Sequence, residues 1–291
     1  MMPVLAGDRA AFAAARAGLA GPVVLVPTMG ALHAGHRALL RRGRELAGVG
    51  GSVIVSMFVN PLQFGPAEDL DRYPRALDED IAVCRDEGVT VVFAPGSSDV
   101  YPTMPAVTVD PGLTGDRLEG EFRPGFFRGV LTVVIKLFSL TRPDIAVFGE
   151  KDAQQLALVR RMVADLDLGV QIVAVPTVRD PDGLAVSSRN RYLSAAERST
   201  ARCLHRALQA AREDTASGPG KAVAAARRVL ADAAAADPPL EVDYLALAEP
   251  GTFAPAGEDH VGPAVLAVAA RVGSTRLIDN AALEFSPGCP A

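Results

Sequence analysis

The chain has 291 residues, a formal net charge of −5 and 49% apolar residues. The length favours one large domain with a smaller one, and the acidic balance disfavours nucleic acid or an anionic membrane surface as the principal partner. The first residues lack the basic and apolar regions of a signal peptide, and no apolar stretch approaches about 18 residues, so we expect a cytoplasmic protein without a membrane anchor. Three scattered cysteines without metal-ligand spacing, Cys84, Cys203 and Cys289, indicate reduced thiols.

Short apolar runs alternate with amphipathic stretches through about residue 176. The predicted strands are residues 23–26, 52–59, 89–93, 145–148 and 170–175, with a short extra strand over 107–109. The predicted helices are residues 8–19, 37–47, 77–87, 129–140 and 154–166. Strands that are apolar throughout and separated by helices indicate an α/β fold with a parallel sheet covered on both faces. Ligands bind such sheets beyond the carboxyl ends of the strands.

The composition changes after the loop at residues 177–183. Ser194 and Glu197 have capping-box spacing, at the start of an alanine- and arginine-rich helix that reaches about residue 214. A second helix follows the Gly/Pro/Ser break at 217–220 and ends near 236, and strands are predicted over 242–247, 265–272 and 276–278. The sequence therefore predicts an α/β domain over residues 1–176 and a small α+β domain over 177–291.

The run PTMGALHAGH, residues 27–36, lies between the first of these strands and a helix. A loop that enters a helix N-terminus presents backbone N–H groups and the positive end of the helix dipole, which suit a phosphate. His33 and His36 could add two imidazole donors, beside a glycine that permits close backbone approach, to form a polyphosphate site. Alternatively, His36 merely begins a helix and His33 lies on an exposed loop. The run matches neither the dinucleotide nor the Walker pattern, and a zinc site lacks a third ligand nearby.

Polar groups also follow the later strands. Asn60 could simply end a strand, whereas Gln63 suits a substrate with hydroxyl and carboxylate groups. Lys151 is one of only three lysines among 29 basic residues, and an ammonium after a strand could neutralise phosphate oxygens. Asp152 and Gln155, beside it, could instead form a capping box.

Two further segments carry charge. Ser187, Ser188 and Arg189 precede a helix and could form a second anion site, although the same residues make an ordinary capping loop. The acidic residues at 78–80 could hold Mg²⁺, with Asp80 as the candidate ligand, or could face solvent on a helix.

Six motifs follow one another along the chain in this order: PTMGALHAGH, FVNPLQFG, DLDRYPR, FRGV, FGEKDAQQL and VPTVRDPDGLAVSSRNRYLS. With them the chain resembles the pantothenate synthetase (pantoate–β-alanine ligase) family over most of residues 20–195. The resemblance implies a Rossmann-like, nucleotidylyltransferase-type fold with a mobile C-terminal lid domain, usually in a homodimer. It also implies the ATP-dependent ligation of pantoate to β-alanine. Pantoate attacks the α-phosphorus of MgATP to give pantoyl adenylate and pyrophosphate, and β-alanine then displaces AMP.

The resemblance further implies roles for particular residues. His36 is the catalytic acid, while His33, Lys151 and Arg189 act on the phosphates. Pantoate and β-alanine contact Asn60, Gln63, Tyr73, Arg123 and Gln155. The residues implied to bind ATP are Pro27, Met29, Gly30, Ala31, Leu32, His33, Ala34, Gly35, His36, Gly149, Glu150, Lys151, Asp152, Val178, Val186, Ser187, Ser188 and Arg189.

The chain departs from the family pattern at two positions. Phe126 stands where the family typically has histidine, and Val186 where it usually has methionine. Two other functions remain open from the sequence: a nucleotidylyltransferase with a different acceptor, and an ATP-binding domain without turnover, which Phe126 would favour. The neutral side chains of Gln63 and Gln155 favour a carboxylic acid over a phosphate as the acceptor.

Overall fold

A computed structural model describes residues 2–65, 70, 72–74 and 76–287. Its contacts divide the chain into two compact units, Met1–Glu150 with Leu158–Pro176, and Lys151–Ala157 with Thr177–Ala291. The segment that carries Lys151 and Gln155 thus belongs to the second unit, although its sequence position lies within the first predicted domain. Cys289 and parts of the DLDRYPR motif lie outside the described residues.

The first unit contains a six-stranded sheet in the order β1-β4-β3-β2-β5-β6, in which every neighbouring pair is parallel. The predicted parallel α/β sheet is therefore confirmed. The order reverses between β2 and β5, and such a switch point opens a crevice beyond the strand ends. The strands are β1 (Val4–Ala6), β2 (Val23–Thr28), β3 (Ser52–Met57), β4 (Val91–Phe93), β5 (Ile145–Gly149) and β6 (Gln171–Val175).

Two details of the strand prediction are wrong. The three-residue strand β1 has too little sequence for a pattern and was missed. The expected strand over 107–109 does not form, since the backbone N–H of Val109 donates to the Thr132 hydroxyl at 3.1 Å and Val107 is exposed.

Helices flank this sheet. Helix α2 begins three residues earlier than predicted, which puts His36 inside its first turn. Helix α7 also begins three residues early, after Gly125 in the left-handed region (φ 83°). The helices are α1 (Arg9–Ala17), α2 (Ala34–Ala47), α3 (Leu77–Asp86), α4 (Ser97–Val100), α5 (Gly112–Gly115), α6 (Glu119–Phe122), α7 (Phe126–Thr141) and α8 (Ala153–Asp165).

The second unit packs helices against an antiparallel sheet in the order β7-β8-β9. Ser194 and Glu197 form the predicted capping box, but the expected single helix to residue 214 is two helices that meet at Arg202. The last strand is much longer than predicted. The elements are α9 (Ala195–Ala201), α10 (Cys203–Glu213), α11 (Pro219–Ala234), β7 (Leu240–Ala248), β8 (Gly262–Val272) and β9 (Thr275–Phe285).

Within the described residues, no helix has the length and apolar character needed to cross a membrane. Cys84 and Cys203 are buried thiols without a disulfide, and burial raises the pKa of Cys84 to about 12 and that of Cys203 to about 11. Thiols with such a raised pKa are poor nucleophiles.

Candidate functional site

The two histidines lie at the N-terminus of α2, directly after β2. His33 is extended and precedes the helix, and its backbone N–H donates to Nδ1 of His36 at 3.3 Å. The two imidazole rings stack with centroids 4.0 Å apart. The structure therefore brings both predicted histidines together at a helix N-terminus, where the helix dipole favours an anion.

Gly35 lets this pair of rings form. A Cβ atom at Gly35 would lie 3.0 Å from Cε1 of the His33 ring, closer than most Cβ contacts in proteins, so the ring would have to move slightly. The sequence suggested that this glycine admits a ligand to the backbone. The structure shows that it also leaves room for the His33 ring.

Desolvation and the neighbouring His33 ring lower the pKa of His36 to about 3, so this imidazole is neutral near pH 7. Because Nδ1 accepts a hydrogen bond from the backbone, the ring proton lies on Nε2. His36 thus offers a neutral N–H donor. His36 is therefore not an imidazolium, the protonated form that a general-acid histidine usually has at neutral pH.

Asp80 of α3 holds the loop that carries the histidines. Its side-chain oxygens accept the backbone N–H groups of Ala31 at 2.8 Å and Leu32 at 2.7 Å. Ala31 has a positive φ of 53°, which costs free energy for a residue with a side chain, and the carboxylate supplies bonds that stabilise this conformation. Asp80 is only 3% exposed, so the interpretation that it faces solvent is wrong.

The magnesium prediction for Asp80 has little support from its surroundings. Among the residues that the structure describes, no group of three or more His, Cys, Asp or Glu side chains could hold a metal ion. Both carboxylate oxygens already accept backbone hydrogen bonds. The contacts of Asp80 therefore indicate a positioning role in the loop.

Asn60 and Gln63 lie in a short 3₁₀ turn after β3. The Asn60 side chain donates to Oε1 of Gln63 at 3.0 Å and to the Gly129 carbonyl at 3.1 Å. Nε2 of Gln63 in turn donates to the Met29 sulfur at 3.3 Å, which links this turn to the histidine loop. The structure thus brings together Met29, Asn60 and Gln63, three of the predicted site residues, within the first unit.

Tyr101 belongs to the same network, although its sequence context does not predict it. Its hydroxyl lies 3.0 Å from Oδ1 of Asn60, 41 residues away along the chain. No local pattern around Tyr101 predicts this contact.

Arg123 also contacts the Gln63 turn. Its guanidinium donates to the Gln63 carbonyl at 3.2 Å and lies 3.7 Å from the centre of the Phe126 ring. A guanidinium over an aromatic face is a cation–π contact. Phe126, one of the departures from the family pattern, therefore supports Arg123. Tyr73, also predicted, is buried and packs edge-on against Phe64 at 6.1 Å.

In the second unit, Lys151 lies in a 3₁₀ turn, Glu150–Asp152, directly after β5. Its backbone carbonyl accepts a hydrogen bond at 2.8 Å from the side chain of Asn280, on β9. The C-terminal sheet thus fixes the main chain of the predicted phosphate-binding lysine. Asn280 was not predicted, because it is 129 residues from its partner along the chain.

The serine loop has the capping geometry that the sequence left open. The hydroxyl of Ser187 accepts the backbone N–H of Arg189 at 3.3 Å at the start of a 3₁₀ helix, Ser188–Tyr192. The backbone of Val186 donates to the Val178 carbonyl at 2.9 Å, so these two predicted ATP-binding residues are paired. This pairing and the cap give the Arg189 segment a defined backbone.

Arg179, at the base of the same loop, is paired with a buried carboxylate. It makes two hydrogen bonds to Asp279, at 2.6 and 2.9 Å, and a third to the Gly183 carbonyl at 3.2 Å. Asp279 and Asn280 are neighbours on β9, so this strand holds both the loop and the Lys151 turn within the second unit.

Comparison with known proteins gives a consistent result. A sequence profile described as Pantoate-beta-alanine ligase matches residues 6–282. A pantothenate synthetase from Thermobifida fusca is 63% identical over 271 residues, which cover 91% of this chain and 90% of that protein. A pantothenate synthetase from Acidothermus cellulolyticus is 56% identical over 283 residues, with 96% of this chain and 91% of that protein covered.

Solved structures resemble the whole chain. The crystal structure of pantothenate synthetase from Thermus thermophilus has a TM-score of 0.87 and 45% identity, covering 98% of this chain and 100% of that one. The pantoate-beta-alanine ligase from Francisella tularensis, complexed with beta-gamma ATP and beta-alanine, has a TM-score of 0.77 and 32% identity, with 96% and 97% covered. The predicted nucleotidylyltransferase-type fold is therefore confirmed.

Proposed function

The chain belongs to the pantoate–β-alanine ligase family, and we propose that it joins pantoate to β-alanine with ATP in two steps. In the first step, a carboxylate oxygen of pantoate attacks the α-phosphorus of ATP, and pyrophosphate leaves. In the second, the amine of β-alanine attacks the acyl carbon of pantoyl adenylate, loses a proton, and AMP leaves with the acyl–oxygen bond electrons. The products are pantothenate, AMP and pyrophosphate.

The observation that carries this proposal is the stacked histidine pair at the N-terminus of α2, beside the switch point of the sheet. The backbone N–H groups of the helix and the imidazole donors suit the triphosphate of ATP. His36, as a neutral donor through Nε2, stabilises the negative charge that develops on the phosphate oxygens during attack. His33 contributes a second donor to the same phosphates.

Lys151 and Arg189 supply the positive charge that a carboxylate needs in order to attack a polyanion. The ammonium and the guanidinium partly neutralise the phosphate oxygens. Less negative charge is therefore left uncompensated on pyrophosphate as it leaves. The other proposed ATP-binding residues lie close in the sequence to the two histidines, to Lys151 or to Arg189. They are Pro27, Met29, Gly30, Ala31, Leu32, Ala34, Gly35, Gly149, Glu150, Asp152, Val178, Val186, Ser187 and Ser188.

The side chains that we assign to hold pantoate directly, Gln63 and Gln155, are neutral hydrogen-bonding groups. Gln63 and Gln155 suit a substrate with a carboxylate and hydroxyls, because an amide can donate and accept without adding charge. Asn60 positions Gln63, while Arg123 and Tyr73 complete the proposed pantoate and β-alanine site. Arg123 supports the Gln63 turn through its hydrogen bond to the main chain.

We also propose a homodimer in the cytoplasm, with residues 1–176 as the ATP- and pantoate-binding domain and 177–291 as the lid. Mg²⁺ enters as part of the MgATP substrate and lowers the charge of the triphosphate. Since Asp80 already accepts two backbone hydrogen bonds, no step is assigned to a metal held by the protein.

A substrate-dependence assay tests the proposed function. AMP should form from ATP only when pantoate and β-alanine are both present, in a ratio of one AMP to one pantothenate. A nucleotidylyltransferase with another acceptor would not require β-alanine. A binding domain without turnover would form no AMP, and either result would overturn the proposal.

A further inference from the structure

We propose that Tyr101 is a positioning residue for the acid substrate: through Asn60, it fixes the Gln63 amide so that Gln63 presents an N–H donor to pantoate. This inference rests on the proposed function, in which Gln63 binds pantoate. It adds a residue outside every sequence motif and fixes the direction of the Gln63 hydrogen bond.

Two backbone groups set the orientation of the Asn60 amide. Its nitrogen faces the Gly129 carbonyl at 3.1 Å, which can only accept, and its oxygen faces the Leu62 N–H at 3.3 Å, which can only donate. Asn60 is 1% exposed, so water does not compete for these bonds. A reversed amide would place its nitrogen against the Leu62 N–H, two donors together, and its oxygen against the Gly129 carbonyl, two acceptors together.

The orientation of Asn60 then determines that of Gln63. The second N–H of Asn60 points at Gln63, 3.0 Å away, so Gln63 must present its carbonyl oxygen there. Its own nitrogen is thereby turned towards Met29, whose sulfur at 3.3 Å is a weak acceptor. An amide nitrogen has two N–H groups. Gln63 therefore faces the substrate as a donor, which suits the carboxylate or hydroxyl oxygens of pantoate.

Tyr101 supplies the fourth hydrogen bond of Asn60. The Oδ1 atom has two lone pairs; the Leu62 N–H uses one, and the Tyr101 hydroxyl, 3.0 Å away, uses the other. Burial raises the pKa of the Tyr101 phenol, so the phenol stays protonated and donates. Its ring is held by Phe58, at 5.9 Å, and by the ammonium of Lys136, at 5.4 Å.

The turn is held against α7 by a close approach at Gly129. A Cβ atom at this position would overlap the Leu62 carbonyl and the Gln63 backbone nitrogen. Only glycine lets the helix backbone come near enough for its carbonyl to accept from Asn60. The FRGV motif thus contributes to the same arrangement.

The test is Tyr101→Phe, which removes one hydroxyl and keeps the ring. We expect the KM for pantoate to rise about fivefold, the factor that the loss of one neutral hydrogen bond typically produces. The KM for ATP should stay within twofold. Tyr244→Phe, which removes a tyrosine hydroxyl in the second unit, serves as the matched control and should leave both constants unchanged. Thermal unfolding of each variant reports any general loss of structure.

A double-mutant cycle with Gln63→Ala separates positioning from a merely structural role. If Tyr101 acts through Gln63, Tyr101→Phe has no further effect on the pantoate KM once Gln63 is alanine. An unchanged pantoate KM in Tyr101→Phe, or a full effect that persists in the Gln63→Ala background, would overturn the inference.

The same cycle distinguishes this inference from the proposed function. If Gln63→Ala alone leaves the pantoate KM unchanged, the assignment of Gln63 as a pantoate-binding residue fails. If Gln63→Ala raises the KM and Tyr101→Phe does not, Gln63 keeps its role and only the positioning role of Tyr101 is lost.

Discussion

Replacing Asp80 by asparagine tests whether this carboxylate holds the histidine loop. The two side chains have nearly the same shape, but asparagine has one acceptor oxygen and one N–H₂ group, whereas the carboxylate accepts from both Ala31 and Leu32. One backbone N–H would therefore face a donor. Losing a charge-assisted bond and leaving a buried donor unsatisfied together cost about 3–5 kcal/mol.

Urea unfolding should show this loss in the free energy of unfolding of Asp80→Asn. Steady-state kinetics should show kcat/KM for ATP reduced at least about tenfold, because a displaced loop misplaces the imidazoles. Asp78→Asn, on the exposed side of the same helix turn, is the matched control and should change neither quantity. Wild-type stability together with wild-type kinetics in Asp80→Asn would refute the reasoning.

A magnesium titration separates the loop role from the metal role. If Asp80 positions the loop, the defect of Asp80→Asn persists at saturating Mg²⁺. If Asp80 instead held a metal ion, excess Mg²⁺ would restore activity while the free energy of unfolding stayed near that of the wild type.

Four further predictions concern charge and side-chain contacts. The imidazole NMR signals of His36 can be assigned by their loss in His36→Gln. They should remain those of the neutral Nε2–H form from pH 8 to pH 5, and a titration of these signals near pH 6.5 would contradict the lowered pKa of His36. Because the unfolded chain binds the extra proton and the folded chain does not, His36 should make the protein less stable as the pH falls from 6.5 towards 3, and His36→Gln should reduce that dependence. Lys151→Ala should cut turnover at least about 100-fold, roughly 3 kcal/mol of transition-state stabilisation, whereas exposed Lys221→Ala should not; a loss below tenfold would argue against a phosphate role. Phe126→Ala removes the ring from Arg123 and should raise the KM for pantoate or β-alanine severalfold, while Phe126→His should keep more of the wild-type value; equal constants in all three proteins would contradict the contact.

The parts of the site that the sequence predicts are those encoded by short stretches of chain. The strand, loop and helix around His33 and His36 are contiguous, so periodicity and the loop residues were enough to predict their arrangement. The capping box at Ser194 was predicted for the same reason. The start of α2 was misplaced by three residues because alanine and glycine at positions 34 and 35 carry no apolar periodicity.

The supporting contacts could not be predicted, because their partners are far apart along the chain. Asp80 lies 49 residues from Ala31, Tyr101 41 residues from Asn60, and Asn280 129 residues from Lys151. Only the fold brings each pair together. The length of β9 was missed for a related reason: Asp279 and Asn280 interrupt its apolar pattern, and their partners belong to the Arg179 loop and the Lys151 turn.

A single-turnover experiment without β-alanine tests most directly whether the histidine pair acts on the phosphates of ATP. With ATP and pantoate alone, the wild-type protein should release about one pyrophosphate per chain in a burst, as pantoyl adenylate accumulates. His36→Gln should slow that burst about 100-fold while the protein stays folded. A burst at the wild-type rate in His36→Gln would contradict the account.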